Sequence, residues 1–562
     1  MLKDIIKKSW PIFILIMSSI LLLIPFYFNR AMIIGSDTIF HFNRFYDTAM
    51  QIKHGNFQYF ISMYGFQESG RIVNALYGPV MSYVQGALVL ISPSWFGYQI
   101  ISNSCLYFLA SLSLYLLLRK AHIAIIYRLP LSLFYLTTYA IQYWTLRQGF
   151  SSWGAALFPI CLIPLIDLVE KKSLDPIKTA LAIALMCQVH MLSALLLILV
   201  YACFYILSVF NTTKVLRIQL LKQAALSVVV FIPLVLNVFY SFVIIYLKNN
   251  IAQPFVNPVM ANTTIFKGSS YWLFSPILLL MVIAFVVLKT FYYWHHKGFD
   301  LLSVTATSCG LLFLLCTDIF PWKILNSTHI KLVEVIQFPF RFFVPFIVLL
   351  LLTLGIILQH SQSKSLRFGL LSYGILLLSL FQVILSNNAA LNQWHNKRDY
   401  LNSNVHTYFV SDDAQKVKKS FFIKDKSTAL KNIVKATPDY LPVKSGKVTG
   451  KYDMYHHQVL KKQTHFKKSI FKNKLLVEWQ GDRERYIQIP VVKYTNTILF
   501  LNQKSVRHNQ IILSKIGAVS IKQVKGNNRL LVYYRSDNLL ILILLITFIS
   551  WLTALGYMFK YH

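Results

Sequence analysis

Runs of about 17 to 25 apolar residues, the length that crosses a hydrocarbon core of roughly 30 Å, recur along this chain from Pro11 to Leu385. Another occupies Leu539–Phe559. Inside lipid the backbone must satisfy its own polar groups, which leaves the helix as the only structure open to such single segments. Composition agrees: with 56% hydrophobic, 15% aromatic and 13% charged residues over 562 positions, the chain is too oily for an ordinary soluble enzyme. The expected fold class is a polytopic α-helical membrane protein.

Basic residues beside apolar runs mark the cytoplasmic side. The clusters are Lys3–Lys8, Arg119–Arg128, Lys171–Lys178, Lys214–Lys222, Lys289–Lys297, Lys364–Arg367 and Lys560. Placing all of them inside calls for about 12 transmembrane helices, near 11–28, 97–118, 123–143, 152–170, 177–190, 193–210, 220–246, 271–293, 300–317, 342–359, 366–386 and 539–558. The first run lacks a small-residue cleavage pattern and reads as a retained span. Leu76–Ile91 does not fit as a crossing, because it would reverse every later cluster. Punctuated by Gly78-Pro79 and Ser92-Pro93, it reads as a re-entrant or surface-lying helix, with a full crossing as the alternative. The expected organisation is a transmembrane domain over 1–386 with a first outer loop at 29–96, a soluble region over 387–537, and a final helix with a short tail over 538–562.

The soluble region falls outside the cell in this scheme. Its stretches RYIQIPVVKY, TILFLNQKSV, IILSKIGAVSIKQV and RLLVYYR alternate or run apolar in short blocks, which predicts an antiparallel β-sandwich. It is rich in lysine, and the whole chain carries a formal charge of +35. That field favours anionic partners met at an envelope, not nucleic acid, unless it serves solubility alone. All six cysteines fall in apolar runs, so no disulfide framework is expected.

The chemistry is concentrated just after the first apolar run, in GSDTIFHFNRFYDTAMQIKHG. Over a helix at 38–53, Asp37, His41, Arg44, Thr48 and Gln51 advance by four, three, four and three positions and share one face. The expected pose is along the outer membrane surface, apolar side down. Ionisable groups at that boundary are costly without a partner or a task. The plainer alternatives are that Ser36 or Asp37 is an N-cap and that His41 is an interfacial histidine without chemistry. The adjacent His295-His296, on the inner side, reads as a solvated cluster and not a metal site, since further ligands are missing.

The same loop, from GSDTIFHFNRF through KHGNFQYFISMYG to NALYGPVMSYVQGALV, together with VIQFPFRFFVP (335–345), TPDYLPV (437–443) and IQIPVVKYTNTILFLNQ (487–503), resembles bacterial YfhO-like membrane proteins. These are relatives of the GT-C glycosyltransferase superfamily and include proteins labelled 6-pyruvoyl-tetrahydropterin-synthase-related, a label that is no evidence of pterin chemistry. The resemblance implies a GT-C-like fold and a transferase that uses a polyprenyl-phosphate sugar at the outer face. It puts the catalytic base on Asp37. No acidic residue lies two positions from Asp37, so a metal-independent reaction without cofactor is expected.

Such a reaction needs cations for the departing phosphate, and arginine's planar fork suits that task. The candidate substrate-binding residues are His41, Arg44, Arg71, Arg147, His190, Gln337 and Arg341, with Arg44 and then Arg341 foremost. For QFPFR the alternative is an aromatic belt with a snorkelling arginine, and for His190 a satisfied helix-break histidine. The expected function is sugar transfer to an anionic envelope acceptor, of which a teichoic-type polymer is one example. The rivals are a flippase for lipid-linked glycans and a non-catalytic envelope-assembly protein.

Overall fold

The computed structural model describes residues 2–561 apart from 253, 295–299, 361–365, 397–399, 403, 412, 445–447 and 462–464. The His295-His296 pair lies outside the described residues. Among the described residues eight helices are long and apolar enough to cross a membrane by length and composition: Ser9–Asn29, Trp95–Lys120, Ser151–Glu170, Met191–Phe210, Lys214–Leu234, Pro339–His360, Leu370–Asn396 and Leu539–Lys560. This is a membrane-embedded protein. Five shorter apolar helices accompany them, Pro79–Ile91, Pro176–Val189, Leu236–Lys248, Leu279–Tyr293 and Leu301–Leu315.

The helix count therefore differs from the twelve crossings expected, and the backbone explains why. Hydropathy counts apolar residues without seeing where the helix breaks. The run at 123–143 is divided at Thr138 into Ile125–Thr137 and Tyr139–Arg147. The runs at 177–190, 271–293 and 300–317 hold the shorter helices Pro176–Val189, Leu279–Tyr293 and Leu301–Leu315, whereas the run at 220–246, although divided at Val235 just after Pro233, keeps the long helix Lys214–Leu234. A proline removes a helical donor and crowds the preceding turn.

The helices sort by burial. In Pro339–His360, 94% of the most apolar window is buried inside the protein, and in Ser151–Glu170 83%, which makes them the centre of the bundle. Lys214–Leu234 has only 11% buried, and both Leu370–Asn396 and Leu539–Lys560 have 22%. These outer helices expose Val215, Leu221, Leu377, Phe381 and Ile541, an apolar surface far too extensive for a monomer in water. All six cysteines are unpaired.

Among the described residues the C-terminal region contains ten strands. β1 (Thr407–Phe409) and β2 (Ile433–Lys435) form a small antiparallel pair. The others are β3 (Lys467–Phe471), β4 (Lys474–Gly481), β5 (Arg485–Val492), β6 (Thr497–Leu501), β7 (Lys504–Ser505), β8 (Ile511–Leu513), β9 (Ala518–Gln523) and β10 (Gly526–Tyr534). They build one sheet in the order β3-β4-β10-β6-β7 and a second in the order β5-β9-β8, and every pairing is antiparallel. Leu475, Val477 and Val532 from the first sheet share a core with Ile489, Val519 and Ile521 from the second, as a sandwich requires.

The sandwich begins later than the expected boundary at 387. The helix Leu366–Asn396 runs straight through that position. The next stretch, carrying Tyr400, Val417, Phe421 and Ile433, joins the core that contains Phe42 and Trp95. Phe96 N–H donates to Phe421 O at 3.1 Å, and Trp95 Nε1 donates to Lys426 O at 2.9 Å. The described residues between Tyr400 and Ile433 are therefore part of the body that holds the first loop.

That loop differs most from expectation. The helix Thr38–His54 exists, but it does not lie on a surface, because residues on every side of it are buried, from His41, Arg44 and Thr48 to Ile39, Phe42 and Phe45. Its partner is Pro79–Ile91, a helix of 13 residues and so about 20 Å long, too short to span about 30 Å of hydrocarbon. The two cross at Gly86, where an added Cβ would sit 2.4 Å from Thr48 Oγ1 and 2.8 Å from Ala49 N. Only glycine permits that approach.

Candidate functional site

Asp37 is positioned by clamps on both sides of its loop. From one side Gly35 N–H donates to Gln148 Oε1 at 2.9 Å, Thr38 Oγ1 donates to the same oxygen, and Asp37 N–H donates to Arg147 O at 3.3 Å. A Cβ on Gly35 would fall 2.2 Å from Arg147 Cα, so this close backbone pairing needs glycine. From the other side Ile34 N–H donates to Tyr400 Oη at 3.0 Å, and Asn404 Nδ2 donates to the carbonyls of Ile34 and Gly35, both at 3.3 Å. Segments near 148 and 402 thus hold a loop at 35.

Asp37 occupies the N-cap position of Thr38–His54, yet its carboxylate makes no capping bond. Capping, the plainer alternative, does not describe it. Half-buried, the side chain opens into a cavity of about 270 Å³ lined also by Ser36, Tyr77, Tyr143, Phe150, His190, Ser193, Trp272, Phe338, Phe340 and Arg341. Burial pushes its pKa up from 3.8 to about 6; Asp439 adds to the rise, while Lys435 and Arg341 oppose it, Lys435 the more strongly. A carboxylate near that value is ionised at neutral pH and still basic enough to take a proton.

Of the residues singled out in the sequence, Arg341 and His190 line this cavity together with Asp37. Arg341 spends one donor on Ile336 O at 3.0 Å and lies over the Phe338 ring at 5.0 Å, which leaves most of its fork without a protein acceptor among the described residues. His190 sits in the break between Pro176–Val189 and Met191–Phe210. Its Nδ1 contacts Ser193 Oγ at 2.8 Å. Burial first, then the charges of Arg341 and Arg44, lower its pKa to about 3, so it is a neutral hydrogen-bonding group. Tyr77, Phe150 and Trp272 supply flat apolar walls, the usual mixture of a ligand site with few polar groups.

The other five predicted residues lie outside the cavity lining. Arg44 is fully buried and committed: Nε donates to Asn74 Oδ1 at 3.1 Å, Nη2 donates to Tyr77 O, and Nη1 faces His41 Nδ1 at 3.2 Å. A guanidinium only donates, so His41 Nδ1 accepts and its proton resides on Nε2. Burial, helped by Arg44 and His190, holds His41 well below its ordinary pKa. Both therefore brace the wall formed by Tyr77, over whose ring Arg44 lies at 4.3 Å.

Arg71 donates to Thr437 O at 2.8 Å, to Tyr455 Oη at 3.0 Å and to Asp439 O, which ties the first loop to the C-terminal region. Arg147 contributes its backbone carbonyl to Asp37 while its side chain is exposed. Gln337 adopts φ 59°, donates to Phe255 O and accepts from Asn257 Nδ2 through its carbonyl at 2.9 Å, locking the turn ahead of Arg341.

Sequence reasoning missed Lys435, Asp439 and Gln148. Lys435 lies two positions before TPDY (437–440) and Asp439 within it, a segment singled out for its resemblance but not connected to Asp37. Gln148 carries φ 52°, which no composition or period reveals. Among the described residues no group of three or more His, Cys, Asp or Glu side chains is arranged to hold a metal ion. Compared with known proteins, the chain matches no family model and no curated protein.

Proposed function

We propose that this protein is a polytopic, GT-C-like membrane glycosyltransferase that moves a sugar from a polyprenyl-phosphate donor to an envelope acceptor at the outer face of the membrane. The observation that carries the reading is Asp37, whose carboxylate has no hydrogen-bond partner among the described residues, facing an aromatic-walled cavity into which Arg341 also points. A bare carboxylate in a buried place is costly, and a cost of that kind concentrates where chemistry is done.

The roles follow from charge. Asp37 takes the proton of the acceptor hydroxyl as its oxygen attacks the anomeric carbon, a contribution of about 10²–10⁴-fold. The bonding pair of the breaking C–O bond leaves with the phosphate, whose growing negative charge Arg341 meets through its fork. His190, neutral, positions sugar hydroxyls, and Tyr77, Phe150 and Trp272 exclude water. The cavity is also lined by Leu192 and Leu196 at the start of Met191–Phe210 and by Val344 in Pro339–His360, an apolar approach suited to a lipid tail. The reading is tested by the envelope glycans of a strain lacking the protein: wild type should restore a missing glycan and Asp37→Asn should not. Restoration by a well-expressed Asp37→Asn variant would reject it.

A further inference from the structure

We propose that Lys435 marks the acceptor side of the site and binds a negative charge that the acceptor carries beside its reacting hydroxyl. The inference rests on the transferase reading and adds to it the side from which the acceptor comes and the acceptor's chemical class.

Lys435 ends β2, paired with Thr407 of β1, and β2 packs against the helix Thr38–His54. Its Nζ donates to Val405 O. The preceding residue, Asn404, donates to Gly35 O, two positions before Asp37. This chain of contacts ties the lysine to the loop that carries Asp37, outside the cavity: Arg341 lines it and Lys435 does not. Among the described residues Lys435 forms no ion pair, unlike the lysines bound to Asp167, Asp175 and Glu484. The fields agree with the geometry, since Lys435 is the strongest cationic influence on Asp37 and Arg341 a weaker one.

Asp37 thus feels two cations, Arg341 in the cavity lining and Lys435 outside it. An inverting displacement needs that polarity, because the incoming hydroxyl and the departing phosphate occupy opposite faces of the anomeric carbon. With Arg341 on the phosphate, the acceptor enters from the Lys435 side. The acceptor O–H proton passes to Asp37, an oxygen lone pair forms the new bond to carbon, and the old C–O pair leaves on phosphate. Lys435 takes no part in that electron flow and acts as a specificity-determining residue. Beside it the His406 ring stacks on Tyr452 at 4.2 Å, and Tyr408 stacks on His456 at 3.7 Å, half-buried rings whose edges offer a polyol phosphate further hydrogen bonds. One charge-assisted contact of this kind is worth about tenfold in affinity.

The test uses the full chain purified in detergent, with glycerol 3-phosphate as the anionic probe and glycerol as its neutral twin. Glycerol 3-phosphate should raise the unfolding temperature of wild type, Lys435→Arg and Arg341→Met, and should fail to do so for Lys435→Met, while glycerol does nothing. No shift in wild type, a shift retained in Lys435→Met, or one lost only in Arg341→Met overturns the assignment. If Lys435→Met folds poorly, Lys435→Gln, neutral and polar, takes its place with the same expected loss of the shift. A transfer assay separates the two claims: Lys435→Met should raise KM for a phosphate-bearing acceptor about tenfold and leave KM for its dephosphorylated twin and for the donor unchanged. Absence of any transfer by wild type refutes the transferase reading, whereas transfer with unchanged acceptor KM refutes the role of Lys435 alone.

Discussion

Replacing Asp37 with asparagine removes a charge that folding has deprived of water, so the substitution should stabilise the protein while abolishing its reaction. The carboxyl group moves from 3.8 to about 6 in the folded state, and each unit corresponds to about 1.4 kcal/mol. A dry site would therefore cost about 3 kcal/mol at neutral pH, and because the side chain is half-buried, screening by cavity water reduces this to about 1–2 kcal/mol. The folded state binds the proton more tightly than the unfolded state. This stabilising contribution is complete below about pH 4 and is lost as pH rises through about 6. Asparagine has no such loss. Its advantage should be absent near pH 4, grow up to about pH 6.5 and stay level above. Unfolding of both purified proteins in detergent, followed over that range, measures it. Equal stability at about pH 8, or an advantage largest in acid, would refute the reasoning.

Arg341→Met should lower transfer by about 10²–10³-fold, the loss expected when one donor to a developing anion is removed, and leave folding near wild type because only one hydrogen bond, to Ile336 O, and the contact with the Phe338 ring are lost; turnover with a polyprenyl-phosphate hexose measures it. Arg44→Met should act on stability, since Asn74 Oδ1 and the Tyr77 carbonyl lose their donor at about 1–3 kcal/mol each. Its unfolding midpoint should fall, while the donor KM of the folded fraction is unchanged. Gly35→Ala forces a Cβ against the Arg147 backbone and displaces the Asp37 loop. A shift of about 1 Å costs about 10²-fold in rate, so activity should collapse with helical circular dichroism intact.

The parts of this fold that were legible in the sequence are those that depend on local spacing. The helix at 38–53 was readable from its stripe and is observed at Thr38–His54. The strands at 485–534 were readable from alternation. The environment of that helix was not readable, because its burial depends on Pro79–Ile91 and on residues near 400 and 430 that periodicity does not connect to it. The stripe therefore looked like an exposed polar face, although Arg44 and His41 point into protein. β3 and β4 went unread because Lys467, Lys468 and Lys474 open them with charges. The meeting of Asp37, His190 and Arg341 was anticipated only by topological side. Lys435 escaped notice because nothing in a lysine-rich segment marks the lysine that folding ties to the Asp37 loop.

The central claim is that Asp37 is a base at a lipid-phosphate sugar site, and a single-turnover assay tests it most directly. Purified wild type and Asp37→Asn, at equal concentrations and both shown to be folded by cooperative unfolding curves, are mixed with radiolabelled short-chain polyprenyl-phosphate hexoses and an anionic polyol acceptor. The account predicts transfer of label to the acceptor by wild type and a loss of at least about 10²-fold in Asp37→Asn, with donor binding retained. Equal transfer by both proteins would contradict it.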